Sequence, residues 1–97
     1  MTAADPTLSK ENLSFYHNNK GLALYQSAVM IGDSLYECIK EYDAAIEKSD
    51  NNAENYFNRG NARLQQQDFE LAHDDFDKGI QLDPNNAKLY HAKGLAF

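Results

Sequence analysis

The sequence predicts an all-α protein, an α-solenoid of antiparallel helical hairpins with about two and a half repeats in its 97 residues. The chain repeats itself, because sliding it by 34 positions places Asn51-Asn52-Ala53 on Asn85-Asn86-Ala87. Apolar residues recur at steps of three and four, which is typical of one buried helix face. Turn-forming residues separate these segments. One hairpin cannot bury its apolar face alone, so we expect neighbouring hairpins to stack.

Composition and charge exclude several classes of protein. Hydrophobic residues make up 42% of the chain and charged residues 25%, which is too apolar for a generically disordered segment. Fifteen acidic side chains against nine basic ones give a net charge of −6. Phosphate groups and anionic lipids are bound by basic surfaces, so we expect neither nucleic acid nor a membrane among the partners. The most apolar window, residues 22–31, is also shorter than the ~20 residues that cross a bilayer.

The cysteine count and the start of the chain favour an intracellular location. The first residues have neither the basic nor the apolar region of a secretory signal peptide. The single cysteine, Cys38, excludes an intramolecular disulfide and a zinc site with several cysteines. We therefore expect a cytoplasmic, reduced setting, in which Cys38 is a small buried residue of a helix.

The N-terminal part is predicted to be irregular. Residues 1–13 are expected to form a tail or cap, in which 1–8 are a mobile tail and Ser9 or Ser14 caps the first helix.

The first repeat, residues 14–52, is predicted to have a lengthened first helix. Gly21 corresponds to Gly60, yet the stretch from Gly21 to the following turn is five residues longer. Five residues correspond to about 1.5 helical turns. The added residues 28–31 are apolar, which favours a helix that ends at Gly32 over the alternative of a longer loop.

The regular part of the chain begins at residue 53. The second repeat is predicted over residues 53–86, with helices at 53–66 and 69–82, and the first helix of a truncated third repeat over 87–97. Asn52 or Asp50 can cap the helix at residue 53, because the side-chain oxygen accepts an otherwise unpaired backbone N–H. Pro84 ends the second helix, since the residue before a proline disfavours helical geometry.

The second repeat resembles a known family. The tetratricopeptide-repeat pattern W-x2-L-G-x2-Y…A-x3-F…P over 34 residues is matched by Tyr56-x2-Arg59-Gly60, Ala72-x3-Phe76 and Pro84. Residues 90–97 resemble the opening of the next copy. The resemblance implies a right-handed superhelix and a non-catalytic role in binding other proteins.

The chain departs from the family pattern at four positions. Arg59 and Lys93 replace the usual leucine, Arg63 replaces a tyrosine and Gly79 replaces an alanine. We expect these changes to weaken local packing while leaving the pairing of small and large residues intact.

The last helix has apolar residues that no second helix covers. They are Leu89, Tyr90, Leu95, Ala96 and Phe97. Terminal helices of repeat arrays normally carry a polar outer face. We therefore expect the 97 residues either to be a fragment of a longer array or to pair with another copy through residues 87–97.

No set of residues predicts catalysis, a metal site or a cofactor. The three histidines, His17, His73 and His91, fall in different helices and at spacings unlike a zinc motif. Asp74 and its acidic neighbours point in different directions around a helix, which indicates a solvated acidic face. We expect a protein that is not an enzyme; the alternative is a docking or regulatory piece of a longer enzyme.

One binding site of the family can be compared residue by residue. Members that resemble this chain hold the C-terminal carboxylate of heat-shock chaperones in a two-carboxylate clamp of five side chains. Asn58 and Lys88 match that clamp, whereas Asn18, Leu22 and Ala92 do not. Three lost anchors remove most of the charge-assisted hydrogen bonds to a carboxylate. We expect a degenerate clamp, with Asn58 bonding across to a neighbouring repeat or to the backbone of a ligand.

The resemblance also implies a concave groove lined by the first helix of each repeat. Its candidate residues are Asn18, Asn19, Leu22, Tyr25, Glu54, Phe57, Asn58, Asn61, Gln65, Lys88, His91 and Leu95. The amides and Phe57, as an apolar anchor, suit a peptide or a partner helix. The hypothesis is a protein–protein interaction scaffold. The alternatives are a structural segment that self-assembles through its uncovered C-terminal helix, a co-chaperone-like docking domain with a degenerate clamp, or ordinary solvated positions with no binding role.

Overall fold

Residues 9–96 are described by the structure, a computed structural model, and within that range they form five α-helices and no strand. The helices are α1 (Lys10–Ile31), α2 (Tyr36–Lys48), α3 (Ala53–Gln65), α4 (Phe69–Leu82) and α5 (Ala87–Leu95). The predicted all-α repeat fold is confirmed. The predicted mobile tail, residues 1–8, lies outside the described residues, as does Phe97.

Polar side chains fix where α1, α3 and α5 begin. Ser9 Oγ accepts from the Asn12 backbone N–H at 3.1 Å, which starts α1 at Lys10. Residues 10–13, which the sequence analysis assigned to the tail or cap, therefore belong to α1. Asn52 and Asn86, which are 34 residues apart, cap α3 and α5 in the same way, with Oδ1–N distances of 2.9 and 3.0 Å.

The first helix is much longer than its counterpart in the next repeat. It has 22 residues, whereas α3 has 13. It ends at Gly32, which has a left-handed backbone with φ of 71°, a conformation that favours glycine at a helix C-terminus. The apolar residues 28–31 thus continue the helix rather than form a loop.

An aromatic ring packed against a glycine holds each hairpin together. A Cβ atom on Gly21 would lie 2.7 Å from Tyr42 Cδ1, and one on Gly60 would lie 2.5 Å from Phe76 Cε1. Both rings are buried. The helices of each hairpin approach closely because these glycines have no side chain.

The second and third repeats also pack through a glycine, but a leucine takes the place of the aromatic ring. Leu89 of α5 fills the space over Gly79 of α4, where a Cβ would be 2.7 Å from Leu89 Cδ2. Leu89 and Ala96 are therefore buried, which corrects the expectation that nothing covers them. Tyr90 and Leu95 are exposed, as expected.

Two arginines of α3 form ion pairs within their own hairpin and with the preceding repeat. Arg59 donates from Nε and Nη2 to both oxygens of the buried Asp75, at 3.0 and 2.8 Å, and from Nη1 to Asp43 of the preceding repeat at 2.8 Å. Arg63 donates to Asp75 at 2.8 Å. The departures from the family pattern at Arg59 and Arg63 are thus compensated by ion pairs. Lys93 repeats the contact 34 residues later, with its Nζ 2.7 Å from Asp77 Oδ1.

A buried polar cluster that the sequence analysis missed joins the first two repeats. Ser14 Oγ donates to the Ala45 carbonyl oxygen at 2.7 Å, and Asn55 Nδ2 donates to Ser14 Oγ at 2.8 Å. Asn55 also reaches the Ser49 carbonyl oxygen at 3.3 Å. Because Ser14 and Asn55 are fully buried, these hydrogen bonds fix how α1, α2 and α3 fit together.

The contact between glycine and ring is tested by Gly60→Ala. The added Cβ overlaps the Phe76 ring, so the free energy of unfolding should fall by about 1–3 kcal/mol. The matched control is Gly94→Ala, because a Cβ there meets nothing within 4 Å. That variant should be unchanged or stabilised by up to about 1 kcal/mol, since alanine favours a helix. Urea denaturation measures both, and equal effects would contradict the assignment.

Candidate functional site: the groove surface

The candidate site is the side of α1, α3 and α5 that faces away from α2 and α4, which we call the groove surface. Contacts between repeats bring these three first helices together. Asn18 of α1 bonds to Asn58 of α3, and Glu54 of α3 pairs with Lys88 of α5. On the groove surface, Asn19, Leu22, Glu54, Gln65, Lys88, His91 and Leu95 are exposed, whereas Tyr25, Phe57 and Asn61 are half-buried.

Asn18 and Asn58 lie in the interior rather than on the open groove. Asn58 Nδ2 donates to Asn18 Oδ1 at 2.9 Å, and both side chains are buried. The expectation that Asn58 bonds across to a neighbouring repeat is confirmed. The expectation that these two amides are open to a ligand is corrected, because both side chains are buried and are bonded to each other between α1 and α3.

Phe57 is not a free apolar anchor. Its ring packs towards Phe76, with the ring centroids 6.3 Å apart, and so belongs partly to the core between α3, α4 and α5. Lys88 Nζ lies 4.6 Å from the centroid of the Phe57 ring, a cation–π distance. The same Nζ is 3.3 Å from Glu54 Oε1. The one lysine that matches the carboxylate clamp is therefore already held by an anion and an aromatic ring.

The sequence analysis missed an apolar stripe along α1, because it named only the middle residue, Leu22, as a groove candidate. Phe15, Leu22 and Val29 are all exposed. Steps of seven residues keep them on one side of the helix, next to Asn18, which faces α3. The spacing was visible in the sequence, but only the structure shows that this side of α1 is uncovered.

Burial raises the pKa of one cysteine and two tyrosines in α1 and α2. Desolvation raises the pKa of the Cys38 thiol to about 11, and Sγ donates to the Leu35 carbonyl oxygen at 3.2 Å. Cys38 therefore remains a thiol at neutral pH and is a small buried core residue, as predicted. Burial also raises the pKa of Tyr25 and Tyr42.

The described part of the chain shows neither a metal-binding cluster nor a membrane-spanning helix. Within residues 9–96, no three histidine, cysteine, aspartate or glutamate side chains lie close enough to hold a metal ion. Between Lys10 and Leu95, no helix has the length and apolar character that crossing a bilayer requires.

An ion pair between α1 and α2 predicts a dependence of stability on pH. His17 Nδ1 donates to Glu41 Oε1 at 2.8 Å, and Lys20 Nζ lies 3.5 Å from Glu41 Oε2. The hydrogen bond from His17, supported by Lys20 and opposed by burial, lowers the pKa of Glu41 below its ordinary 4.5. This contribution to stability is present above that ordinary value and is lost as the pH falls through the lower, folded-state pKa.

Glu41→Gln tests this pair. Between about pH 5 and pH 3, the wild type should lose more free energy of unfolding than the variant, because the variant lacks the titrating carboxylate. Glu47→Gln on the exposed side of α2 is the matched control and should retain the wild-type dependence. Urea titrations at each pH measure the difference, and parallel curves for wild type and Glu41→Gln would contradict the assignment.

Comparisons with known proteins give one family match and several similar proteins. The model of the tetratricopeptide repeat matches residues 53–86. Stress-induced-phosphoprotein 1 of Caenorhabditis elegans is 42% identical over 55 residues, which cover 57% of this chain and 15% of that protein. The human peptidyl-prolyl cis-trans isomerase FKBP4 is 48% identical over 48 residues, which cover 50% of this chain and 10% of that protein.

A solved structure extends the likeness to most of the chain. The Arabidopsis OM64 TPR domain matches with a TM-score of 0.81 and 28% identity, over 91% of this chain and 69% of that one. This chain spans only 15% and 10% of the two curated relatives, so the likeness to them concerns a repeat region and not their whole length.

Proposed function

Because this chain belongs to the tetratricopeptide-repeat family, whose fold is a non-catalytic protein-interaction scaffold, we propose that it binds a partner helix or peptide on its groove surface. The observation that carries the proposal is the apolar stripe of Phe15, Leu22 and Val29. Three exposed apolar side chains in a row on an ordered helix cost free energy in water, and a partner that covers them recovers it.

The spacing of the stripe favours a helical partner. Its side chains are about 10 Å apart along the axis of α1, given 1.5 Å per residue. An amphipathic helix with apolar residues at i and i+7 presents side chains at this same interval, and its residues at i+3 or i+4 fall between the side chains of the stripe.

The polar residues of the groove surface supply specificity beside the stripe. Asn19 on α1 and Gln65 on α3 are exposed, and Asn61 is half-exposed. Their amides both donate and accept hydrogen bonds, so they can pair with side chains or with the backbone of an extended segment. Leu95 on α5 adds an exposed apolar contact at the far side of the surface.

A library of displayed linear peptides tests the proposal. Peptides selected on the wild-type protein should lose at least about tenfold in affinity for the double variant Leu22→Gln plus Val29→Gln, because the apolar contact is lost. Both side chains are exposed, so the variant should fold normally, which circular dichroism checks.

The matched control for this experiment is Met30→Gln. Met30 is the most exposed of the large apolar side chains described and lies about 100° around α1 from Val29. Binding should survive this change. If the control removes binding as strongly as the double variant, or if the double variant retains it, the proposal for the groove surface is wrong.

The carboxylate clamp of the family is expected to be inactive here. Asn58 is hydrogen-bonded to Asn18, and Lys88 forms an ion pair with Glu54. The Leu22 side chain has no group that could form a hydrogen bond. A peptide ending in Glu-Glu-Val-Asp should therefore show no measurable binding by calorimetry. Binding that disappears in Lys88→Ala would contradict this expectation and would favour the co-chaperone-like alternative.

A further inference from the structure

A notch lies where the long helix α1 passes the end of α3. It has a volume of about 230 Å³ and adjoins the Val29 end of the groove surface. We call it the Asp33 notch, and its lining residues are Ala28, Val29, Gly32, Asp33, Leu35 and Gln65. All of them belong to α1, to α3 or to the turn between α1 and α2, so no end of the chain shapes the notch.

The unequal lengths of the two helices produce the notch. From the contact between Asn18 and Asn58, α1 continues to Ile31, whereas α3 ends at Gln65. The turn leaves the space open, because a Cβ on Gly32 would meet nothing within 4 Å. The walls are apolar side chains of the first repeat, Ala28, Val29 and Leu35. A side chain that enters the notch therefore contacts apolar surface.

The carboxylate of the notch has no cation beside it. Within residues 9–96, Asp33 takes part in no ion pair, and its side chain accepts one hydrogen bond, to Oδ1 from the Ser34 backbone N–H at 2.7 Å. Asp33 is exposed, so its second oxygen, Oδ2, remains available to a donor of a ligand.

The C-terminus of α1 also lacks a basic side chain. The last turns of α2 and α3 contain Lys48 and Arg63, whereas the last turn of α1 contains no base. Backbone carbonyl oxygens at the end of a helix carry a partial negative charge, which a nearby cation stabilises. The Asp33 notch therefore combines a carboxylate, the negative end of a helix dipole and apolar walls.

We propose that the Asp33 notch is a subsite for an arginine or lysine side chain of the ligand that the groove surface binds. The aliphatic stem of the base packs on the apolar walls, while its cationic head pairs with the Asp33 carboxylate. An apolar side chain would cover this carboxylate without pairing it, which costs free energy. The inference rests on the proposed function, because the base belongs to the same ligand.

The position of the notch determines where the base lies in the ligand. Asp33 follows Val29 by four residues, which is about one helical turn. A helical ligand that covers Val29 with an apolar side chain therefore carries its base three or four residues further outward. The amide oxygen of Gln65 is a second acceptor in the lining, which favours arginine because a guanidinium has several donors in one plane.

Parallel selections from the peptide library test the subsite. Peptides selected on the wild-type protein should be enriched in arginine or lysine three or four residues from an apolar residue. Peptides selected on Asp33→Lys should be enriched in aspartate or glutamate at that place, because the charge of the notch is reversed. Asp33 is exposed, so this variant should fold normally, which circular dichroism checks.

A double-mutant cycle on one selected peptide measures the ion pair. Glutamine in place of the base should weaken binding to the wild-type protein at least about threefold, as for a partly exposed ion pair. Asp33→Asn should weaken the unchanged peptide similarly, since it keeps the Oδ1 acceptor for Ser34 and removes only the charge. The glutamine peptide should bind both proteins equally well. Fluorescence anisotropy measures all four affinities.

Two other exposed acids provide matched controls, because Glu11→Lys and Glu37→Lys change the net charge as much as Asp33→Lys does. Glu11 lines a separate cavity at the N-terminal end of α1. Glu37 lines, together with Asp33, a smaller cleft between α1 and α2. Neither control should reverse the charge that is selected in the peptides.

The outcomes separate this inference from the proposed function. If the selected peptides depend on Leu22 and Val29 but show no preference for a base, the subsite is wrong and the proposed function stands. A basic preference that survives Asp33→Lys, or that Glu11→Lys or Glu37→Lys reverses as strongly, would also overturn the subsite. If no peptide is selected, the proposed function fails and the subsite fails with it.

Discussion

The architecture depends on one contact, a ring lying in the space that a glycine leaves empty on the facing helix. Tyr42 on Gly21 and Phe76 on Gly60 set the distance between the helices of each hairpin, and Leu89 on Gly79 sets the distance to the next repeat. Because the interior of a protein is densely packed, a single added methyl group at these positions forces a whole helix outward. The polar contacts form at the observed distances only when this spacing is kept.

Those polar contacts determine how one hairpin fits on the next. Asn18 with Asn58, Ser14 with Asn55 and Arg59 with Asp43 each join residues of different repeats. Buried hydrogen bonds and ion pairs contribute little net stability, but a misaligned stack would leave their donors and acceptors unpaired. Apolar packing brings the hairpins together, and the polar groups select one alignment.

Most of the fold could be predicted from the sequence, because each cause is local. The 34-residue period can be read directly along the chain. The capping residues Ser9 and Asn52, and Gly32 at the end of α1, act within a few positions of the chain. The site was harder to predict. Asn58 and Phe57 occupy groove positions of the helical pattern, yet the approach of α1 and α5 buries the first and covers the second, and a single-helix pattern does not contain that approach. Leu89 was placed on an open face for the same reason.

The unequal lengths of α1 and α3 give the groove surface a direction. At 1.5 Å per residue, α1 is about 33 Å long and α3 about 20 Å, so the C-terminal end of α1, which includes Val29, extends past the end of α3. A ligand aligned with α1 therefore runs beside α3 near Phe15, but near Val29 it meets only the last residue of α3, Gln65. Its two ends meet chemically different surroundings, and turning it around would exchange them. Helix length alone thus distinguishes parallel from antiparallel docking before any side chain is compared.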